Sequence, residues 1–326
     1  MQRRHIVRFA ALATLAAAAL AGPATALAQA YPARPVKFVV PFGPGSGTDT
    51  SARYFAKKLS EMTGQPVVVE NKPGANGFLA VRQVLQAPAD GYTVFVGSNS
   101  TLAVNAALFK ELPYDPVADF TPLSMMMRSP ALLVVPGASE HRNLGELMAA
   151  ARANPGKLNY GAGSAGYQLM AELFNDAARV STHHVPFKGA GEAVTAVAAG
   201  TVHLAFAEMT SAQELVKGGK LKALAVASDK RVPSLNSVPT AAEAGLPGFT
   251  AYTWVGAMMH AKTPKAEAEK MASLLTAIAR QPETREFYEK LGAEVMVGGP
   301  EEMRQFQAAE IRLWKRIATQ AKVEQQ

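Results

Sequence analysis

Short apolar runs alternate along the chain with longer segments of helical spacing, and the loops between them are rich in glycine, serine and threonine. The pattern predicts a strand over Val36–Pro41, then a glycine-rich loop and a helix from about Thr48 to Thr63. A second strand is expected over Pro66–Glu70, a Lys72-Pro73-Gly74 turn, and a helix near Gly77–Gln86. A third strand is expected over Tyr92–Gly97, with Ser98–Thr101 opening another helix. Strands buried on both faces read as unbroken apolar runs rather than alternating ones, and these do. Strand, loop and helix repeated in this order predict a parallel sheet with right-handed crossovers.

The pattern restarts after Pro130. Strands are expected over Ala131–Val135, Leu158–Ala162, Thr182–Pro186, His203–Ala207 and Leu221–Ala227, with helices between them. Asn143-Leu144-Gly145-Glu146 is a capping-box-like helix start. Thr240-Ala241-Ala242-Glu243 is another, with Gly245 as its stop. The tail offers one strand-like run, Thr253–Met259, and helices starting at Thr263-Pro264 and at Pro300, the last reaching about Gln320. That is too few strands for a third domain, so the tail is expected to cross back and complete the first. The expectation is an α/β protein of two doubly wound parallel-sheet domains with a hinge: 31–129 plus 251–326, and 130–250.

Residues 1–30 stand apart from this pattern. Arg3, Arg4 and Arg8 precede an apolar run, Phe9–Ala21, of about 13 residues, too short for a membrane span of roughly 20. Ala26-Leu27-Ala28 and Ala28-Gln29-Ala30 both fit a small-x-small cleavage site. Basic start, short apolar centre and small-residue exit make a secretory signal, so the working chain is expected in the periplasm, cut near Ala28 or Ala30. The formal charge of +7 falls to +4 once the three leader arginines are gone. So mild and dispersed a charge points away from nucleic acid. The chain has no cysteine, which excludes disulfides and thiolate chemistry.

Ligands of open α/β sheets bind beyond the carboxyl ends of the strands, where loops meet helix N-termini. Three such loops hold the candidate chemistry. The first is Phe42-Gly43-Pro44-Gly45-Ser46-Gly47-Thr48-Asp49, whose glycines open the backbone to a ligand and whose following helix offers free N–H groups to an anion. Asp49 is read as the cap of that helix. A dinucleotide fingerprint competes, with Glu70 as the ribose acid, but the third glycine is missing. The second loop is Gly97-Ser98-Asn99-Ser100-Thr101, read either as ligand contacts or as a helix cap. The third is Gly161-Ala162-Gly163-Ser164-Ala165-Gly166-Tyr167. Here Ser164 lies one substitution from a nucleophile elbow, which keeps a secreted serine hydrolase as an alternative. None of the six histidines has a distinctive loop context, and none forms an H-x-x-x-H pair. No metal and no cofactor are expected.

Several motifs, in order, resemble the periplasmic solute-binding proteins of tripartite tricarboxylate transporters, the Bug or TctC family. They are Tyr31-Pro32 with Arg34-Pro35; Val39-Val40-Pro41-Phe42 with its glycine loop; Glu70-Asn71-Lys72-Pro73-Gly74-Ala75; Ala89-Asp90-Gly91-Tyr92-Thr93; Leu112-Pro113-Tyr114-Asp115-Pro116; Val185-Pro186-Phe187-Lys188-Gly189; Leu221–Val226; and Val238–Gly245. The resemblance covers essentially the whole chain after the leader. It implies a hinged, type II-like periplasmic binding fold without catalysis, taking a small carboxylate for a membrane permease. The carboxylate would be held by backbone amides, hydroxyls and waters of the cleft loops. Phe42, Gly43, Gly45, Ser46, Gly47, Thr48, Ser98, Asn99, Ser100, Gly163, Ser164, Ala165, Gly166, Tyr167, Lys188 and Glu208 are the candidate contacts. A monomer is expected, and a ligand sensor for a membrane receptor is the remaining alternative. Two departures affect the second domain's side of the cleft: Gln168 stands where the family often has histidine, and Ala207 where many members have aspartate. Trp254 is read equally as core or as cleft wall.

Overall fold

The computed structural model describes residues 31–326, and the expected leader, residues 1–30, lies outside them. The first half begins with β1 (Val36–Val40), α1 (Gly47–Thr63), β2 (Val67–Asn71), α2 (Phe78–Gln86) and β3 (Thr93–Ser98). One π-helical turn, Ser100–Val104, then leads into the short α3 (Asn105–Leu108). The second set is β4 (Phe120–Pro136), α4 (Leu144–Ala153), β5 (Asn159–Ala162), α5 (Ala165–Ala178), β6 (His183–Pro186), α6 (Ala190–Ala198), β7 (Leu204–Glu208), α7 (Met209–Lys217) and β8 (Leu221–Val226). The tail supplies β9 (Tyr252–His260), α8 (Lys265–Ala279), α9 (Pro282–Lys290), β10 (Glu294–Val295) and α10 (Pro300–Gln320).

These strands join one mixed sheet in the order β2-β1-β3-β9-β4-β7-β5-β6, with β8 and β10 also paired to β4. The pairings β1–β2, β1–β3, β5–β6 and β5–β7 are parallel, as the strand-loop-helix pattern requires. The middle of the sheet departs from the parallel expectation. β9 runs antiparallel to both β3 and β4, and β4 runs antiparallel to β7 and β8. The tail does cross back: β9 inserts between β3 and β4, and its unbroken run Thr253–Met259 is buried throughout.

β4 is the main correction to the element reading, because it starts at Phe120 and not at Ala131. Its first part, Phe120–Pro130, pairs with β9, and its second, Ala131–Pro136, with β7 and β8. Pro122, Ser124, Arg128, Ser129 and Pro130 interrupt the apolar pattern that signals a strand. The register slips between Pro122 and Ser124 and between Met125 and Met127. Such bulges are where a strand tolerates proline. α9 was also not foreseen: its surface is mostly charged, with Thr284 and Tyr288 as its buried anchors. The Thr240–Glu243 box does form, since Glu243 N–H donates to Thr240 Oγ1 and Thr240 N–H to the Glu243 carboxylate. It encloses a single turn and no α-helix. Gly245 turns to φ +94° directly after it, and Pro247 cannot continue a helix.

The cap of α1 is Ser46, whose Oγ accepts from Asp49 N–H at 3.2 Å. This corrects the reading of Asp49. The Asp49 carboxylate accepts from Gly45 N–H at 3.0 Å, Arg53 Nε at 3.0 Å and Asn71 Nδ2 at 2.8 Å. Asn71 also donates to the Phe42 carbonyl. Asp49 therefore ties the first loop to the end of β2. Replacing Ser46 with alanine leaves one helix N–H unpaired, so Ser46→Ala should lower stability by about 1 kcal/mol. The check is urea unfolding, where the midpoint should fall at an unchanged slope.

Candidate functional site

The carboxyl ends of β1, β3, β5 and β7 bring their loops to one side of the sheet, facing the middle of β9. There a small cavity is lined by Phe42, Ser46 and Thr48 from the first loop and by Ser98, Asn99 and Ser100 from the second. Gly163, Ser164 and Tyr167 come from the third loop and the start of α5, and Glu208 from the end of β7. Ala190, Thr253, Trp254 and Val255 complete the wall. Sequence reading passed over Ala190, Thr253 and Val255. Ala190 is the first residue of α6, a signal that a helix-start rule could have used. Thr253 and Val255 lie inside an apolar strand, where nothing local separates cavity from core. Trp254 proves to be both wall and core: it lines the cavity and is 2% exposed.

The remaining candidates sit beside the cavity. Gly43 and Gly45 shape the first loop, and Gly45 holds φ +82°. Gly47 donates its N–H to Glu208 Oε1 at 2.6 Å. Ala165 and Gly166 form the first turn of α5, and Gly166 N–H donates to Ser100 Oγ at 3.1 Å. Lys188 lies elsewhere, in a neighbouring and more open pocket with Pro41, Asn76, Phe187 and Glu192. The two pockets share Phe42 and Gly163.

Uncharged donors dominate the cavity, and neither lysine nor arginine lines it. Ser100 Oγ donates to Ser164 Oγ at 2.9 Å, joining the second and third loops. Asn99 Nδ2 is buried without a hydrogen-bond partner, while the buried Tyr167 hydroxyl faces Glu208 and Thr253. Orphaned polar groups of this kind are uncommon inside proteins and call for an explanation. Burial pushes the Glu208 carboxyl above its ordinary range, and the Gly47 N–H and the facing Tyr167 offset part of that. Burial, and then the charge of Glu208, push the Tyr167 hydroxyl well above its own ordinary value. Tyr167 therefore stays a proton donor at neutral pH.

Neither competing chemistry finds its partners here. No histidine lines the cavity with Ser164, whose hydroxyl is engaged by Ser100. Glu70, the acid of the dinucleotide reading, is drawn down to about 2 by hydrogen bonds from Lys37, Lys72 and Gln83. It ion-pairs with both lysines. Among the described residues no cluster of metal-binding side chains converges, and no helix is long and apolar enough to cross a membrane.

A polar cavity at the strand ends of an α/β sheet, walled by hydroxyls, amides and helix N-termini, defines a receptor for a small solute. Residues 51–323 match the tripartite tricarboxylate transporter family receptor, and the chain belongs to that family. Its members are periplasmic solute-binding proteins of the Bug type and not enzymes. Three solved structures share its fold closely. The R. palustris protein Rpa4515, solved with adipate, is 34% identical, with a TM-score of 0.87 over 91% of this chain and 100% of that one. The periplasmic binding protein BugD is 31% identical, with a TM-score of 0.85 over 91% of this chain and 100% of its own. MatC from Rhodopseudomonas palustris, with bound malate, is 33% identical, with a TM-score of 0.83 over 88% and 99%.

Proposed function

We propose that this receptor is exported, loses its leader by cleavage near Ala28 or Ala30, and captures a small organic acid in the periplasm as a monomer. The two halves of the sheet, 31–129 with 251–326 and 130–250, act as hinged domains that close on the ligand. A membrane permease of the tripartite tricarboxylate type then receives it. The observation that carries this reading is the buried, unpartnered amide donor Asn99 Nδ2 in a cavity at helix N-termini. An anion is the ligand that such a site lacks, because helix N-termini attract negative charge and the donor gains an acceptor. The acids bound by Rpa4515 and MatC support the same class. Serine and threonine hydroxyls, backbone amides and ordered waters supply the remaining contacts.

A thermal-shift screen over mono-, di- and tricarboxylates, aromatic acids and amino acids tests the class. At a hundredfold excess over its dissociation constant a ligand adds about 2.7 kcal/mol of stability, a rise of several degrees in a chain of this size. Neutral sugars or cations raising the melting temperature where no acid does would overturn the reading. Ser164→Asp places a negative charge against the same donors. It should weaken acid binding at least tenfold while the protein stays folded, measured by titration calorimetry.

A further inference from the structure

The cavity already contains a carboxylate of its own. Glu208 ends β7, is 5% exposed, and reaches across to α1, where its Oε1 accepts from Gly47 N–H at 2.6 Å. The two residues are 161 positions apart. Gly47 has no space for a side chain, because a Cβ there would meet Glu208 Oε2 and the Met127 methyl. The first turn of α1 is thus shaped around the Glu208 carboxylate. With Ser46 Oγ taking Asp49 N–H, two of the N–H groups that a helix leaves free at its start are engaged by side chains. The space that remains holds about one water molecule.

The opposite end of the cavity is unfilled in chemical terms. Asn99 Nδ2 keeps an unspent donor there, beside the Ser100–Ser164 pair at the start of α5. The cavity therefore has one anion seat taken from within and one free. Since no lysine or arginine lines it, a ligand with two carboxylates would bring two further acidic groups into a buried space that already holds Glu208, with no cation to match them.

We propose that Glu208 sets the specificity of this receptor: it fills the anion seat at the start of α1, so the cleft accepts acids with a single carboxylate and rejects dicarboxylates. This rests on the reading of the cavity as a carboxylate site. It separates this chain by ligand class from the relatives solved with adipate and malate. Removing the Glu208 carboxylate frees Gly47 N–H and adds a second seat.

The test is titration calorimetry with matched pairs of equal length: butanoate and succinate, hexanoate and adipate, octanoate and suberate, benzoate and terephthalate. Wild type should bind the best monocarboxylate at least tenfold more tightly than its dicarboxylate partner. Glu208→Ala should shift that ratio at least tenfold toward the dicarboxylate. Glu208→Gln, which keeps the shape and removes the charge, should move it the same way by a smaller factor and guards against loss of folding. Wild type binding a dicarboxylate as well as its partner, or a ratio unmoved in both variants, overturns the role of Glu208 and leaves the carboxylate reading intact. If no acid of either kind binds wild type or variants, the carboxylate reading falls and takes this inference with it.

Discussion

Gly163→Ala should reduce stability by about 1–3 kcal/mol, the usual cost of forcing an extra carbon into a packed site, and should weaken acid binding at least tenfold. A Cβ at Gly163 would overlap the backbone of Gly189 and Ala190. Those atoms belong to the loop that starts α6 and cannot rotate aside as a side chain would. The two loops must separate, and both contribute to the cavity wall through Gly163 and Ala190. Gly45→Ala provides the contrast. Nothing lies near its missing Cβ, and its strain comes only from φ +82°. That conformation costs a non-glycine residue roughly 1–2 kcal/mol, with a smaller effect on affinity. Calorimetric melting and ligand titration of both variants provide the check, and a Gly163→Ala protein with wild-type affinity would mean the loops part freely.

Trp254→Ala should be the more damaging change to the fold, at about 3–5 kcal/mol. The indole is buried in β9, meets the Phe306 ring edge-on at 5.1 Å, and donates from Nε1 to Glu310 Oε2 at 2.7 Å. Trp314 donates to the same oxygen at 3.0 Å. Burial raises the Glu310 carboxyl above its ordinary range, and these two indoles oppose the rise. An acid whose folded pKa is raised binds its proton more tightly folded than unfolded. Stability therefore falls as pH climbs from the unfolded value, about 4.3, through the folded one. Trp254→Phe keeps most of the ring and loses the donor, so it pushes the Glu310 pKa higher and widens that window. Its deficit against wild type should be larger at pH 7 than at pH 4. Chemical denaturation at the two pH values measures this, and equal deficits would remove Glu310 from the account.

Much of the cavity was readable from local pattern. A strand end followed by glycines and hydroxyl residues marks the loops after β1, β3 and β5, and all three meet at the cavity. What escaped was long-range. Nothing near Glu208 says that its side chain engages an amide on α1, because that contact depends on how two distant strands sit in one sheet. Thr253 and Val255 look like any residues of a buried strand until β9 is placed between β3 and β4. Asp49 was assigned to the wrong task for a related reason: its partner Asn71 lies on another strand, and proximity along the chain favoured the cap. The first half of β4 was hidden by its prolines and serines, which read as a loop until two bulges and a neighbouring strand accommodate them.

The position of β9 has a further consequence, for the order in which the molecule is assembled. β3 stands complete by Ser98, yet its antiparallel neighbour is not made until His260, after β4 to β8 have all emerged. The edges of β3 and of the first part of β4 stay open through that interval. Pairings so distant in sequence close slowly, and open strand edges are adhesive while they wait. A chain built this way cannot finish the middle of its sheet as it is synthesised. Its centre stays unfinished until nearly four fifths of its length exists, and until then those open edges are where a chaperone can hold it.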